Sequence, residues 1–298
     1  MNPVLIRSLF ILLTLIKGTT LAQARQAPNW IDLTRPLPPL AEEAQGLFDE
    51  SLTNAPNFSV FQYDPRLSDL FATTGRSELC FPSALAQSLI YFKAYHEPRF
   101  ERLEIPGLSA DSKKVDAAKA VRAFAKTCKT HPSEGTGLVD AMSCANSILK
   151  SAYPASHLEG IVADIPGTRE PLPFTKKTLS LQEIRSALKA GEAVILNIGW
   201  YRYSNFKRGF VRASGHFVTV VGYDANESWG DDQIILKVIN PAFAYDPSGK
   251  TRIFDTVILT KVKQKPGVKY PLNLGYTLIG NGFERTNLVD WLLIFKPQ

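Results

Sequence analysis

The chain has 298 residues, 45% of them apolar and 21% charged, with a formal net charge of +6. That composition supplies an ordinary hydrophobic core and excludes a disordered or low-complexity chain. The positive surplus is thin and scattered, densest at Lys113-Lys114, Lys176-Lys177 and residues 261–265, so it reads as solvated surface and not as a nucleic-acid footprint.

The first residues read as an export signal. Arg7 precedes the short apolar run Leu9 to Ile16, and Ala22-Gln23-Ala24 offers the small-x-small pattern of a cleavage site. The run falls short of the roughly 20 apolar residues that span a bilayer, and no later stretch approaches that length. Cleavage after Ala24 is expected to release a secreted or periplasmic chain with no integral membrane segment; the competing reading is an uncleaved anchor. Residues 25–57 carry Pro28, Pro36, Pro38 and Pro39 and read as an extended leader, followed by one domain over residues 58–298.

Beyond the leader the pattern is first helical. Leu85, Leu89 and Phe92 recur at helical spacing after Pro82, which suits a first turn. A second helix is expected over Asp111 to Thr127 and a third from about Thr136. Ser180-Leu181-Gln182-Glu183 is a capping-box pattern whose helix Gly191 should end. The period then changes. Ala193 to Ile198, Phe217 to Tyr223, Ile234 to Ile239, Val257 to Leu259 and Trp291 to Phe295 are short β-rich runs between turn residues. Helices first and strands later predict an α+β domain with an antiparallel sheet.

Three cysteines allow the pairs 80–128, 80–144 and 128–144, or three reduced thiols. Cys128 ends one helical pattern, and Cys144 lies in the next, off its apolar stripe. Pairing these two closes a short loop and leaves Cys80 free. Cys80 stands just before a predicted helix, where unsatisfied N–H groups and partial positive charge favour a thiolate. Taken alone, such a cysteine is better explained as a buried structural thiol.

His216 opens the strand Gly215-His-Phe-Val-Thr-Val-Val-Gly-Tyr-Asp224, where its ring can face a cleft and take a thiol proton. Asn240 follows the next strand, so its side-chain carbonyl can approach the second ring nitrogen and fix the imidazole. Its rival reading is an Asn-Pro turn. Asp224, the rival orienter, would lie about 26 Å from His216 along an extended strand. Trp200 and Tyr201, at the end of the preceding strand, are candidate substrate-binding aromatics. The histidines are not spaced as ligands and no Cys-x-x-Cys occurs, so no metal is expected, and Gly135-Thr-Gly137 and Gly280-Asn-Gly282 are turns rather than phosphate loops.

The order Cys80, His216, Asn240 is papain-like. Gln62-Tyr-Asp-Pro-Arg66, Cys80-Phe-Pro-Ser-Ala-Leu-Ala86, Gly215 to Asp224 and Ile239-Asn240-Pro241 together resemble the bacteriocin-leader (double-glycine) peptidase-like family of papain-fold cysteine peptidases. The resemblance implies a papain-like fold and a thioester intermediate, with Cys80 as nucleophile, His216 as base and Asn240 as orienter. It also implies a peptide or protein substrate, no cofactor, and Gln62 as oxyanion donor. The sequence departs from that pattern twice. Phe81 replaces the glycine that usually follows the nucleophile, and Gln62 lies 18 residues before Cys80 rather than a few. Those departures keep two other functions open: an inactive papain-fold binding module, and a transglutaminase-like acyl transferase.

Overall fold

The computed structural model describes residues 30–32, 60–95, 100–109, 114–162, 175–176, 179–206, 209–223, 232–242, 255–261, 276–279 and 287–298. The expected signal segment, most of the leader and Asp224 lie outside these residues.

Helix α1, Cys80–Tyr95, begins on the candidate nucleophile. Pro82 falls in its first turn, where the missing N–H has no intrahelical acceptor to lose. Helix α2, Ala117–Thr127, starts later than the apolar spacing predicts. Strand β1, Trp30–Asp32, pairs antiparallel with β2, Lys114–Asp116, so the residues ahead of Ala117 are drawn into extended backbone. Asp116 then caps the helix, accepting from the N–H groups of Ala118 and Lys119. Helix α3, Leu138–Ala152, follows Gly137 without a side-chain cap. The disulfide Cys128–Cys144 joins the end of α2 to α3 with Cα atoms 4.9 Å apart, leaving Cys80 as the free cysteine. Helix α4, Leu181–Lys189, is capped by Ser180, whose hydroxyl accepts the Gln182 N–H. Its end wraps on Gly191 at φ +68°, where the N–H groups of Gly191 and Glu192 reach the carbonyls of Leu188 and Ala187.

The sheet strands are β3 His157–Val162, β4 Thr175–Lys176, β5 Ala193–Ser204, β6 Gly209–Tyr223, β7 Gln233–Ile239, β8 Asp255–Lys261, β9 Tyr276–Ile279 and β10 Asn287–Lys296. They form one eight-stranded sheet in the order β4-β3-β10-β5-β6-β7-β8-β9. Every neighbouring pair is antiparallel except β3 with β4. The sequence runs fall within five strands but understate β5 and β6, which continue as a long hairpin to Ser204 and Gly209, so His216 lies inside β6 and does not open it.

Alternation divides each strand between two cores. Ile195, Phe217, Val221, Ile239 and Leu293 pack with α1, α2 and α3 on one face. Val194, Leu196, Ile198, Val218 and Val220 pack with Leu181, Ile184 and Leu188 of α4 on the other. The α+β expectation therefore holds, with three helices on one side of the sheet and one on the other. Among the described residues, no helix is long and apolar enough to cross a membrane.

Candidate active site

Cys80 is held where helix α1 meets strand β6. Its thiol lies within reach of the backbone N–H groups of Cys80 and Phe81 at the helix start, and of Phe217 on the strand. Those dipoles favour the thiolate, yet burial and the charge of Glu78 outweigh them and push the thiol up to about 11. Phe81 does not crowd the mouth of the site. It is fully buried and stacks edge-on against Phe217, ring centroids 4.9 Å apart, and Phe217 in turn meets Trp291 at 5.2 Å. The bulk that stands in place of a glycine is thus absorbed between helix and sheet.

His216 and Asn240 meet as the strand arrangement predicts, with Nε2 2.7 Å from Oδ1. The same oxygen accepts the backbone N–H of Ala242 at 2.9 Å, so Asn240 makes its Asn-Pro turn and orients the histidine at once. That second bond has a further consequence. An atom receiving a backbone N–H must be the amide oxygen, so the ring nitrogen facing it must carry the proton. Burial drives the His216 pKa down to about 4 against the opposing pull of Asn240, and the ring is neutral at physiological pH. Its lone pair is therefore on Nδ1. The indole of Trp200 covers the imidazole, with centroids 5.8 Å apart and planes tilted by 34°. No hydrogen bond joins the Cys80 thiol to the imidazole; the two are linked through the backbone of residues 216–217.

A loop carries Gln62 back to this place in spite of its distance along the chain. Asp64 caps the 3₁₀ turn Pro65–Leu70 and forms an ion pair with Arg66, which also reaches Asp116 at the start of α2. The Gln62 N–H donates to Pro241 O at 3.0 Å, beside Asn240. Its side-chain Nε2 donates to Ser77 O at 3.3 Å, three residues before Cys80, and its Oε1 has no hydrogen-bond partner. Gln62 thus sits between the segments bearing Cys80 and Asn240.

Tyr201 is placed differently from Trp200. It is 8% exposed and its hydroxyl donates to Asp290 Oδ1 at 2.6 Å. Asp290 accepts Arg212 Nε on its other oxygen at 2.7 Å, and Arg212 Nη2 donates to Asn197 Oδ1 at 2.8 Å. Asn197 Nδ2 completes the chain on the His216 carbonyl at 3.2 Å. Sequence reasoning missed Arg212, Asn197 and Asp290. The signal was present for two of them: a charged or amide residue inside the apolar runs Leu288-Val-Asp290-Trp-Leu-Leu and Val194-Ile-Leu-Asn197-Ile must find a buried partner.

Among the described residues, no group of three or more His, Cys, Asp or Glu side chains could hold a metal ion. An α+β domain whose leading helix starts on a free cysteine, with a later histidine held by an asparagine across two strands, has the papain-like topology. Residues 59–257 match the Peptidase_C39 like family, and the chain belongs to it. The sequence matches none of the curated proteins.

Proposed function

We propose that the chain is an exported cysteine peptidase or amide hydrolase acting on peptide or protein substrates. The observation that carries this reading is the His216–Asn240 hydrogen bond, which leaves a neutral imidazole with its lone pair on Nδ1. The Cys80 thiol gives its proton to Nδ1 as Sγ attacks the substrate carbonyl carbon. The resulting oxyanion is received by the Cys80 backbone N–H and by Gln62 Nε2, once that amide turns from Ser77. Collapse breaks the C–N bond, and the leaving amine takes the proton back from His216. Water, deprotonated by the same nitrogen, then hydrolyses the thioester. Trp200 shields the His216–Asn240 bond and forms a wall for substrate. Export is supported by the apolar run Leu9 to Ile16 and by the Cys128–Cys144 disulfide, since such bonds persist in oxidising compartments.

A second reading, a binding module without chemistry, is favoured by the raised thiol and its 8% exposure. A peptidyl electrophile such as an acyloxymethyl ketone, followed by intact mass, separates the two. The peptidase reading expects one adduct, on Cys80, formed about 10²–10⁴ times more slowly in His216→Ala. Equal capture in both proteins, or none in either, leaves the binding module. An amine that competes with water for the acyl group would mark a transferase.

A further inference from the structure

We infer that Arg212, gripped by Asp290 and Asn197, is a positioning residue that holds His216 through its main-chain carbonyl. The inference rests on the reading of His216 as the base. Strand β7 pairs with β6 only as far as Thr219 opposite Ile239, so on that side His216 lies beyond the last rung of the ladder. On its other side His216 is paired with Ile198 of β5, and its carbonyl also accepts a side-chain bond, from Asn197 Nδ2. An asparagine amide is free to rotate unless its oxygen is also held, and here Arg212 Nη2 holds it. The guanidinium is fixed in turn by a carboxylate with 0% exposure, whose second oxygen is bonded by Tyr201.

Two glycines make room for this chain. Gly199 and Gly215 face each other across β5 and β6. A Cβ at Gly215 would land on the Arg212 guanidinium, and one at Gly199 on the Asp290 carboxylate. The residue directly before His216 thus has no side chain, and the arginine lies in the space one would fill. A buried ion pair is weak evidence for stability, because desolvation offsets most of the attraction. A chain of directional bonds ending on the backbone of the base has instead the form of a device for geometry, where a displacement of about 1 Å can cost roughly 10² in rate. Asp290 lies outside residues 59–257, so the strand that anchors the device comes from beyond the family match.

The test uses the purified full chain with ¹⁵N-labelled histidine and two independent readouts. One is the NMR signal of the His216 Nε2–H; the other is the rate of Cys80 capture by the peptidyl electrophile. Arg212→Ala is expected to shift that signal and slow capture at least tenfold, with both restored by ethylguanidinium in the tens of millimolar, while Arg212→Lys stays impaired. Should Arg212→Ala fail to fold, Asn197→Asp keeps an acceptor for Arg212 and removes the donor to His216, and should give the same two changes. Unchanged ring signals and capture in these variants overturn the inference, as does a loss that follows falling thermal stability without rescue. If the wild-type protein is not captured but the ring signal still shifts and is rescued, the peptidase reading fails and the positioning of His216 stands.

Discussion

The resting charge state of the site is open to direct measurement. With the thiol at about 11 and the imidazole at about 4, both groups are neutral between pH 5 and 10, so in the proposed peptidase any proton transfer would wait for substrate. Relative to an ordinary thiol at 9.0, Cys80 carries about a hundredfold less thiolate up to about pH 8, and about tenfold less at pH 10. Its alkylation by iodoacetamide, followed by intact mass, should therefore rise about tenfold per pH unit from pH 7 to 10 without a plateau. The disulfide keeps Cys128 and Cys144 out of the count. Burial is the larger cause of the shift and the charge of Glu78 the next, so Glu78→Gln should raise the rate at fixed pH. A neutral imidazole places no charge beside the sulfur, so His216→Ala should leave the profile above pH 6 in place. A plateau below pH 8 that disappears in His216→Ala would refute this reasoning, because it would mean a thiolate–imidazolium pair exists before substrate arrives.

His216 also links stability to acid. Its folded pKa of about 4 lies below the ordinary 6.5, so stability present above pH 6.5 is lost as pH falls towards 4, by about 3 kcal/mol in all. His216→Gln should remove that part of the slope when urea midpoints at pH 7 and 4.5 are compared. Reducing the Cys128–Cys144 disulfide, whose partners are 16 residues apart, should cost about 3 kcal/mol in denaturant titration while Cys80 keeps its reactivity. Gly215→Ala drives a methyl group into the Arg212 guanidinium and should destabilise by about 1–3 kcal/mol. Adding Arg212→Ala should relieve that cost in a double-mutant cycle without restoring capture at Cys80.

The parts of this fold visible in the sequence are those fixed by local chemistry. Gly191 and Ser180 bound α4 because a left-handed turn and an N-cap each need particular residue types. The second helix is misjudged at its start because Val115 suits a helical stripe and a paired strand equally well, and pairing with Ile31 decides between them. His157–Val162 carries Glu159 and Gly160 and no clean alternation, so its strand is set by pairing with its neighbours, mainly β10, and not by its pattern. At the site, His216 and Asn240 could be anticipated because β7 runs antiparallel beside β6 and ends just before Asn240, next to His216. The grip of Arg212 on Asp290 could not, since 78 residues separate them and only the arrival of β10 beside β5 makes them neighbours.

Strand β10 has a consequence for the order in which the protein can be made. Among the described strands it comes last in sequence, yet it lies in the interior of the sheet, between β3 and β5. A growing chain that has released everything up to β9 holds two unfinished half-sheets with open edges, the state most exposed to wrong pairing. It also lacks Asp290, and with it the anchor behind His216. The sheet is continuous only once residues 287–296 occupy the gap between β3 and β5, and the same strand brings the Asp290 carboxylate to Arg212.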